Sequence, residues 1–166
     1  MIDNLNRMFV TSDYHFGSWR LLSPFVVFTK DEEIELINKW NSVIKKNDIV
    51  FYNGDFSDCS INQTYEYLSQ LNGKITLIKG NHDRFDDETF KEMFMSVVEE
   101  MYIPDLDLVI HHCPEEDCSS YEIYGHLHRN DIFNPISKRN SFCSCVQRNN
   151  GYPVSLKYAL DMMSKR

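Results

Sequence analysis

All six histidines of this chain sit in short polar motifs at the ends of apolar runs. Asp13-Tyr14-His15 follows RMFVTS, and Asn53-Gly54-Asp55 closes DIVFYN. Gly80-Asn81-His82-Asp83 follows KITLIK, His111-His112-Cys113-Pro114 closes DLVIH, and Gly125-His126-Leu127-His128 follows YEIY. Imidazole and carboxylate donors together suit zinc, manganese, iron or nickel. A carboxylate has two oxygens, so one aspartate can bridge two metals. Glycine before a ligand lets the backbone turn sharply and come close to a metal or a phosphate. Two metals roughly 3.5–4 Å apart can activate a water and clamp the oxygens of a phosphoryl group. Taken singly the motifs say little. An Asp–His pair at a strand end is more often a surface hydrogen bond, Gly-Asp is commonly a turn, alternate histidines can share a strand face, and Asn-His-Asp can be a polar loop. Their joint occurrence at successive run ends points to one metal centre.

The runs that carry these motifs are short, apolar and rich in β-branched and aromatic residues, and read as strands. They are Arg7 to Ser12, Asp48 to Asn53, Lys74 to Lys79, Asp107 to His111 and Tyr121 to Tyr124, with Val97 to Ile103 as another that ends at Pro104. Helical spacing lies between them. Thr29 and Glu32 make a capping box, after which Ile34, Ile37, Trp40 and Ile44 recur on one face. Asn62 to Leu71 reads as a second helix, with Tyr65, Leu68 and Leu71 on one side; Glu88 to Met95 and Ser155 to Met163 read as a third and a closing one. Alternating strands and helices imply an α/β layout, and strands apolar on both faces imply a buried sheet. In such sheets, sites form where strands end and loops begin.

The 166 residues are the size of one domain, taken as 1–166, with 42% hydrophobic and 13% aromatic residues. No apolar run reaches the length of a membrane span, and no export signal is visible, so a cytoplasmic protein without a membrane partner is expected. Five cysteines are an odd count, which argues against a disulfide framework. Cys143 and Cys145 are spaced to face one side of a strand, either as reduced half-buried thiols or, less favoured, as a zinc pair. The formal net charge of −8 is a poor match for gripping a nucleic-acid backbone. It does not exclude small anionic substrates, because bound divalent cations reverse the local sign.

The set D-x-H, G-D, G-N-H-D, H-x-P and G-H-x-H, in that order between Asp13 and His128, resembles the calcineurin-like metallophosphoesterase superfamily. SDYHFG, KWNSVIKKNDIVFYNGDFS, LNGKITLIKGNHDRF and GYPVSL resemble a subgroup of small stand-alone bacterial and phage phosphoesterases. The resemblance implies two packed mixed β-sheets flanked by helices, a four-layer sandwich. It implies that Asp13, His15 and His128 hold one divalent metal, that Asp55 bridges, and that Asn81, His112 and His126 complete a second. Manganese is the first choice, with iron, nickel or zinc as alternatives. His82 would be the general acid, Asp83 would orient it, and the nucleophile would be a metal-bound hydroxide attacking a small phosphomonoester or phosphodiester. Arg84 is read either as a contact to a phosphate oxygen or as a solvated loop residue. Asp58 completes G-D-x-x-D or else leads into the second helix, and His111 reads as structural.

Ser18 departs from the subgroup, which commonly has a histidine there, so any subgroup substrate preference is in doubt. Trp19 and Arg20 beside it line the pocket or cover the sheet edge. Two other functions stay open: a non-catalytic protein-binding scaffold, as this fold provides in retromer, and a nuclease. The presence of His82 counts against the first, and the acidic balance against the second.

Overall fold

The computed structural model describes residues 4–18, 28–115, 117–128 and 140–165. Two sheets form its centre. The first has the order β4-β3-β2-β1-β9, from β1 (Met8–Thr11), β2 (Ile49–Asn53), β3 (Lys74–Ile78), β4 (Ser96–Val98) and β9 (Val154–Ser155). β1 to β4 are parallel, and β9 adds antiparallel to β1. The second has the order β5-β6-β7-β8, from β5 (Glu100–Ile103), β6 (Leu108–His111), β7 (Tyr121–Tyr124) and β8 (Ser141–Cys143). There β6, β7 and β8 are parallel, and β5 is antiparallel.

Successive side chains of a strand point to opposite faces, so an apolar strand can serve two cores at once. Phe9, Val50, Tyr52, Ile75 and Leu77 enter one core with Leu36, Ile37 and Trp40 of α1 (Lys30–Val43) and with Phe90 of α3 (Asp87–Met93). Val10, Phe51 and Ile78 face the other way. They pack with Leu108, Ile110, Ile123 and Phe142 of the second sheet and with Leu156, Ala159 and Met163 of α4 (Leu156–Ser164). Full burial of one such side chain stabilises by about 1.5–3 kcal/mol. The layout is the expected sandwich of two mixed sheets with helices.

Two expectations about elements are corrected. Val97 to Ile103 is not one strand: the chain changes sheets at exposed Glu99, leaving β4 on β3 and β5 on β6. The expected apolar faces hold at Ile37, Trp40, Ile44, Leu68 and Leu71 but not at their first residues: Ile34 is 51% and Tyr65 60% exposed, while Leu36 on α1 and Thr64 on α2 (Ile61–Ser69) are buried. Glu33 of α1 also turns inward. It is buried, and it accepts from the Gly17 amide and the Tyr67 hydroxyl, which ties the helix to the loop after β1. The α1 capping box is present as read.

Candidate metal centre

The carboxyl ends of β1, β2, β3, β6 and β7 point the same way, and the loops leaving them meet at the seam between the sheets. The seam is held by polar contacts. Ser12 and Ser144 join hydroxyl to hydroxyl at 3.0 Å, Ser12 bridges Cys145, and the Asn53 amide donates to the Ile123 carbonyl at 3.3 Å. The loops after β1 and β2 are bonded rung by rung: the amides of Asp13, His15 and Phe16 donate to the carbonyls of Gly54, Asp55 and Phe56.

This stitching holds an unusual backbone. Asp13 (φ 63°), His15 (φ 45°), Asp55 (φ 59°) and His126 (φ 66°) all adopt the left-handed conformation. Asp and His tolerate it better than most residues, yet each case costs on the order of 1 kcal/mol. Such cost persists where surrounding contacts over-determine the conformation, commonly at functional sites. Gly54 has φ +86°, and a Cβ there would strike the His112 ring and come within 2.7 Å of the Gly80 Cα, so a side chain has no room.

The donors converge as follows. Asp55 Oδ2 lies 3.5 Å from His15 Nε2 and 3.2 Å from His112 Nε2. His128 Nε2 is 3.5 Å from Asp13 Oδ1, and Asn81 Oδ1 is 3.1 Å from His112 Nε2. Asp13 also accepts the His126 amide at 3.1 Å. Ligand atoms of Asp13, His15 and His128 lie within 4.8 Å of one another, and so do those of Asp13, Asp55 and His112. Asp13, His15, Asp55 and His112 are 0%, 3%, 1% and 4% exposed, while Asn81 and His126 are exposed at the rim.

The tautomers are arranged to leave Nε2 lone pairs facing inward. His112 Nδ1 donates to the Asn53 carbonyl at 2.9 Å, and His15 Nδ1 donates to Asp58 Oδ2 at 2.8 Å. His128 Nδ1 meets the Gln147 side-chain amide at 2.9 Å. With that amide turned so that its oxygen accepts, His128 has the same tautomer and the buried Gln147 oxygen gains a partner. His15 Nε2 is buried with no hydrogen-bond partner, an orphaned nitrogen that a bound cation would satisfy. The donor set therefore fits divalent cations.

The electrostatics agree. Burial alone would raise the Asp55 carboxyl, but the hydrogen bond and charge of His112, with the His82 amide and His15, hold it down to about 2. Burial would lower His112, but Asp55 and Asp13 push it up to about 9. His15 is raised in the same way, against its burial, by Asp58, Asp55 and Asp13. His126 and His128 are lowered, first by burial and then by neighbouring imidazoles. The Asp55 carboxylate and the His112 ring thus favour each other's charged forms.

The remaining expected residues fall as follows. His82 Nδ1 is 3.0 Å from Asp58 Oδ1, and its ring stands edge-on to His15 at 4.8 Å. Asp83 was expected to orient His82, and this is corrected. Its Oδ2 accepts the Asp55 and Gly80 amides at 2.8 Å and its Oδ1 the Phe56 amide at 3.0 Å, so it fastens the loops after β2 and β3. Asp58 takes the orienting place, holding His15 with one oxygen and His82 with the other; both hydrogen bonds hold its own pKa down against burial. G-D-x-x-D was its signal. Arg84 is exposed. His111 lies in β6 and pairs with buried Glu122 at 2.7 Å. Ser18 is 1% exposed beneath the loop, and Trp19 and Arg20 lie outside the described residues. Cys145 was missed: its thiol donates to Asp13 Oδ2 at 3.1 Å. So was Gln147, which no motif marks. All the cysteines are free, and no donor group among the described residues includes the Cys143/Cys145 pair.

A two-sheet fold with a clustered Asp/His/Asn centre at its seam defines a class of scaffold with donors suited to divalent cations. The family model for calcineurin-like phosphoesterases matches residues 7–144, and the chain belongs to that family. It is 30% identical to an uncharacterised protein of Methanocaldococcus jannaschii over 98% of this chain and 94% of that protein. A solved structure of a protein of unknown function from Aquifex aeolicus shares the fold, with a TM-score of 0.68 at 23% identity, covering 91% of this chain and 96% of the other. No helix among the described residues is long and apolar enough to cross a membrane.

Proposed function

We propose that the chain hydrolyses phosphoester bonds of small substrates at a pair of divalent metal ions. The observation that carries this reading is Asp55 Oδ2, set between the inward nitrogens of His15 and His112 at 3.5 and 3.2 Å. Asp13, His15 and His128 would hold one ion, and Asn81, His112 and His126 the other, with Asp55 shared. When bound, the ions supply an activated water and neutralise charge on the phosphoryl oxygens.

The chain's own groups do the rest. Asp58 holds His82 by Nδ1, which leaves Nε2 to give its proton to the departing oxygen. The His82 side chain is 36% exposed, so an incoming substrate can reach it. Asp83 keeps the loops carrying Asp55 and His82 in register. Arg84, exposed two residues after His82, would meet a phosphate oxygen. The net charge of −8 favours a small substrate over a nucleic acid.

The test is turnover of a chromogenic phosphodiester and monoester across manganese, iron, nickel and zinc, beside His82→Ala and a metal count. The variant is expected to keep its metals and lose about 10²–10⁴-fold in turnover of esters with poor leaving groups. Absence of turnover with every metal in folded protein would sink the reading. Loss of metals from the variant would sink the acid assignment.

A further inference from the structure

A third group of donors lies beside the two described: ligand atoms of His112, Cys113 and His126 are within 4.8 Å of one another. Cys113 has no place in the metal sets above. We propose that its sulfur is a ligand of the second metal position, which makes that position a zinc-type site with a soft donor. The proposal rests on the two-metal reading and names the metal class it takes.

Consecutive residues of a strand point to opposite faces, so His112 and Cys113 would not share a target on a continuing strand. The strand does not continue. β6 ends at His111, the backbone bends at His112 and Cys113, and Pro114 follows. The Gly125 amide donates to the His112 carbonyl at 2.9 Å and fixes that bend against the loop carrying His126. The bend brings the Cys113 sulfur within 4.8 Å of a ring nitrogen of His112 and of one of His126. The thiol is exposed beside exposed His126, so it opens onto the rim and can lose its proton to solvent as a cation arrives.

Thiolate among imidazole donors selects zinc, and cobalt as its substitute, over manganese, which prefers oxygen. With Asp55 shared, Asn81, His112, His126 and Cys113 give this position one donor more than a position held by nitrogen and oxygen alone. The other position, with Asp13, His15 and His128, has no sulfur in its group. The two positions therefore differ in softness, and a mixed pair of metals follows.

Cobalt(II) titration of the full chain tests this, read by absorption and by metal count. Wild type is expected to hold two equivalents and to develop a near-ultraviolet thiolate-to-cobalt band. Cys113→Ser should lose the band with its fold intact by circular dichroism, whether it keeps the second equivalent or releases it. Its preference for zinc over manganese should fall by about tenfold or more. Two bound equivalents without a band in wild type, a band that persists in Cys113→Ser, or an unchanged zinc preference would each overturn the thiolate and leave the two-metal reading standing. A wild type that binds no cobalt would overturn both.

Discussion

The two sides of the metal centre are built differently. On the inner side, Asp13, His15, Asp55 and His112 are almost fully buried, and neighbours hold their side chains or the loops that carry them. On the rim, Asn81, Cys113 and His126 are exposed; the Asn81 carbonyl meets His112 Nε2, and the His126 ring stands edge-on to the His112 ring at 5.2 Å. The inner geometry is thus held by the protein's own hydrogen bonds. The rim donors are left to be ordered by a cation. Groups held by surrounding hydrogen bonds keep their geometry at little cost on binding, which is why such supports matter for affinity.

This contrast is sharpest at Asp55. Asp55→Asn removes the shared charge, and is expected to abolish binding of both metals and lower turnover by more than about 10³-fold, beyond the loss of one hydrogen-bond donor. Metal counting after gel filtration checks it, and one full equivalent retained would show that Asp55 is not shared. Next comes Asp58→Asn, which should keep the fold and cost about 10–100-fold in turnover with a changed pH profile, because both His15 and His82 lose their orienting acceptor. Asp83→Asn should instead lower the melting temperature, since three backbone amides lose a charged acceptor. A pH profile altered in Asp83→Asn and not in Asp58→Asn would reverse their assignments. On the rim, His126→Ala is expected to weaken one equivalent by about tenfold or more and leave the other, with the melting temperature of the chelated protein unchanged. Isothermal titration separates the two equivalents, and equal weakening of both would erase the inner–rim distinction.

The smallest expected effect is that of pH on metal-free protein. His112 rises from 6.5 to about 9 on folding, so its contribution is complete below pH 6.5 and is lost as pH climbs through 9. Asp55 falls from 3.8 to about 2, so its contribution is present above 3.8 and lost as pH drops through 2. Chelated protein should therefore melt higher at pH 6 than at pH 9.5, and added metal should restore the alkaline value. Calorimetry with and without chelator measures this. A chelated protein equally stable at both values would mean that His112 carries no proton in the folded chain.

The donor cluster was legible because a metal site demands particular residue types, and strand ends are marked by apolar runs that stop. Type and spacing put Asp13, Asp55 and His126 in one expected cluster, and only the family resemblance gave each a role. The choice between Asp58 and Asp83 could not, because both carboxylates lie a few residues from a ligand and only the fold decides which one reaches the ring. The C-x-C spacing marked Cys145 but not its bond to Asp13, and Gln147 carries no local pattern. They meet Asp13 and His128 because the second sheet's last strand is laid against the seam. The inward turn of Glu33 on α1 had the same kind of cause, a carboxylate answering to the amide of Gly17 in the loop after β1. The split of β4 from β5 hid in a continuous β-forming run, since a change of sheet needs only one residue.

Asp13 accepts the amide of His126, 113 residues further on. The centre therefore has a timetable as well as a geometry. While the chain is being made, its first donors emerge long before their last partners, and a nascent protein halted before β7 lacks His126 and His128, one donor from each proposed set. The full cluster can assemble only after the second sheet has closed against the first.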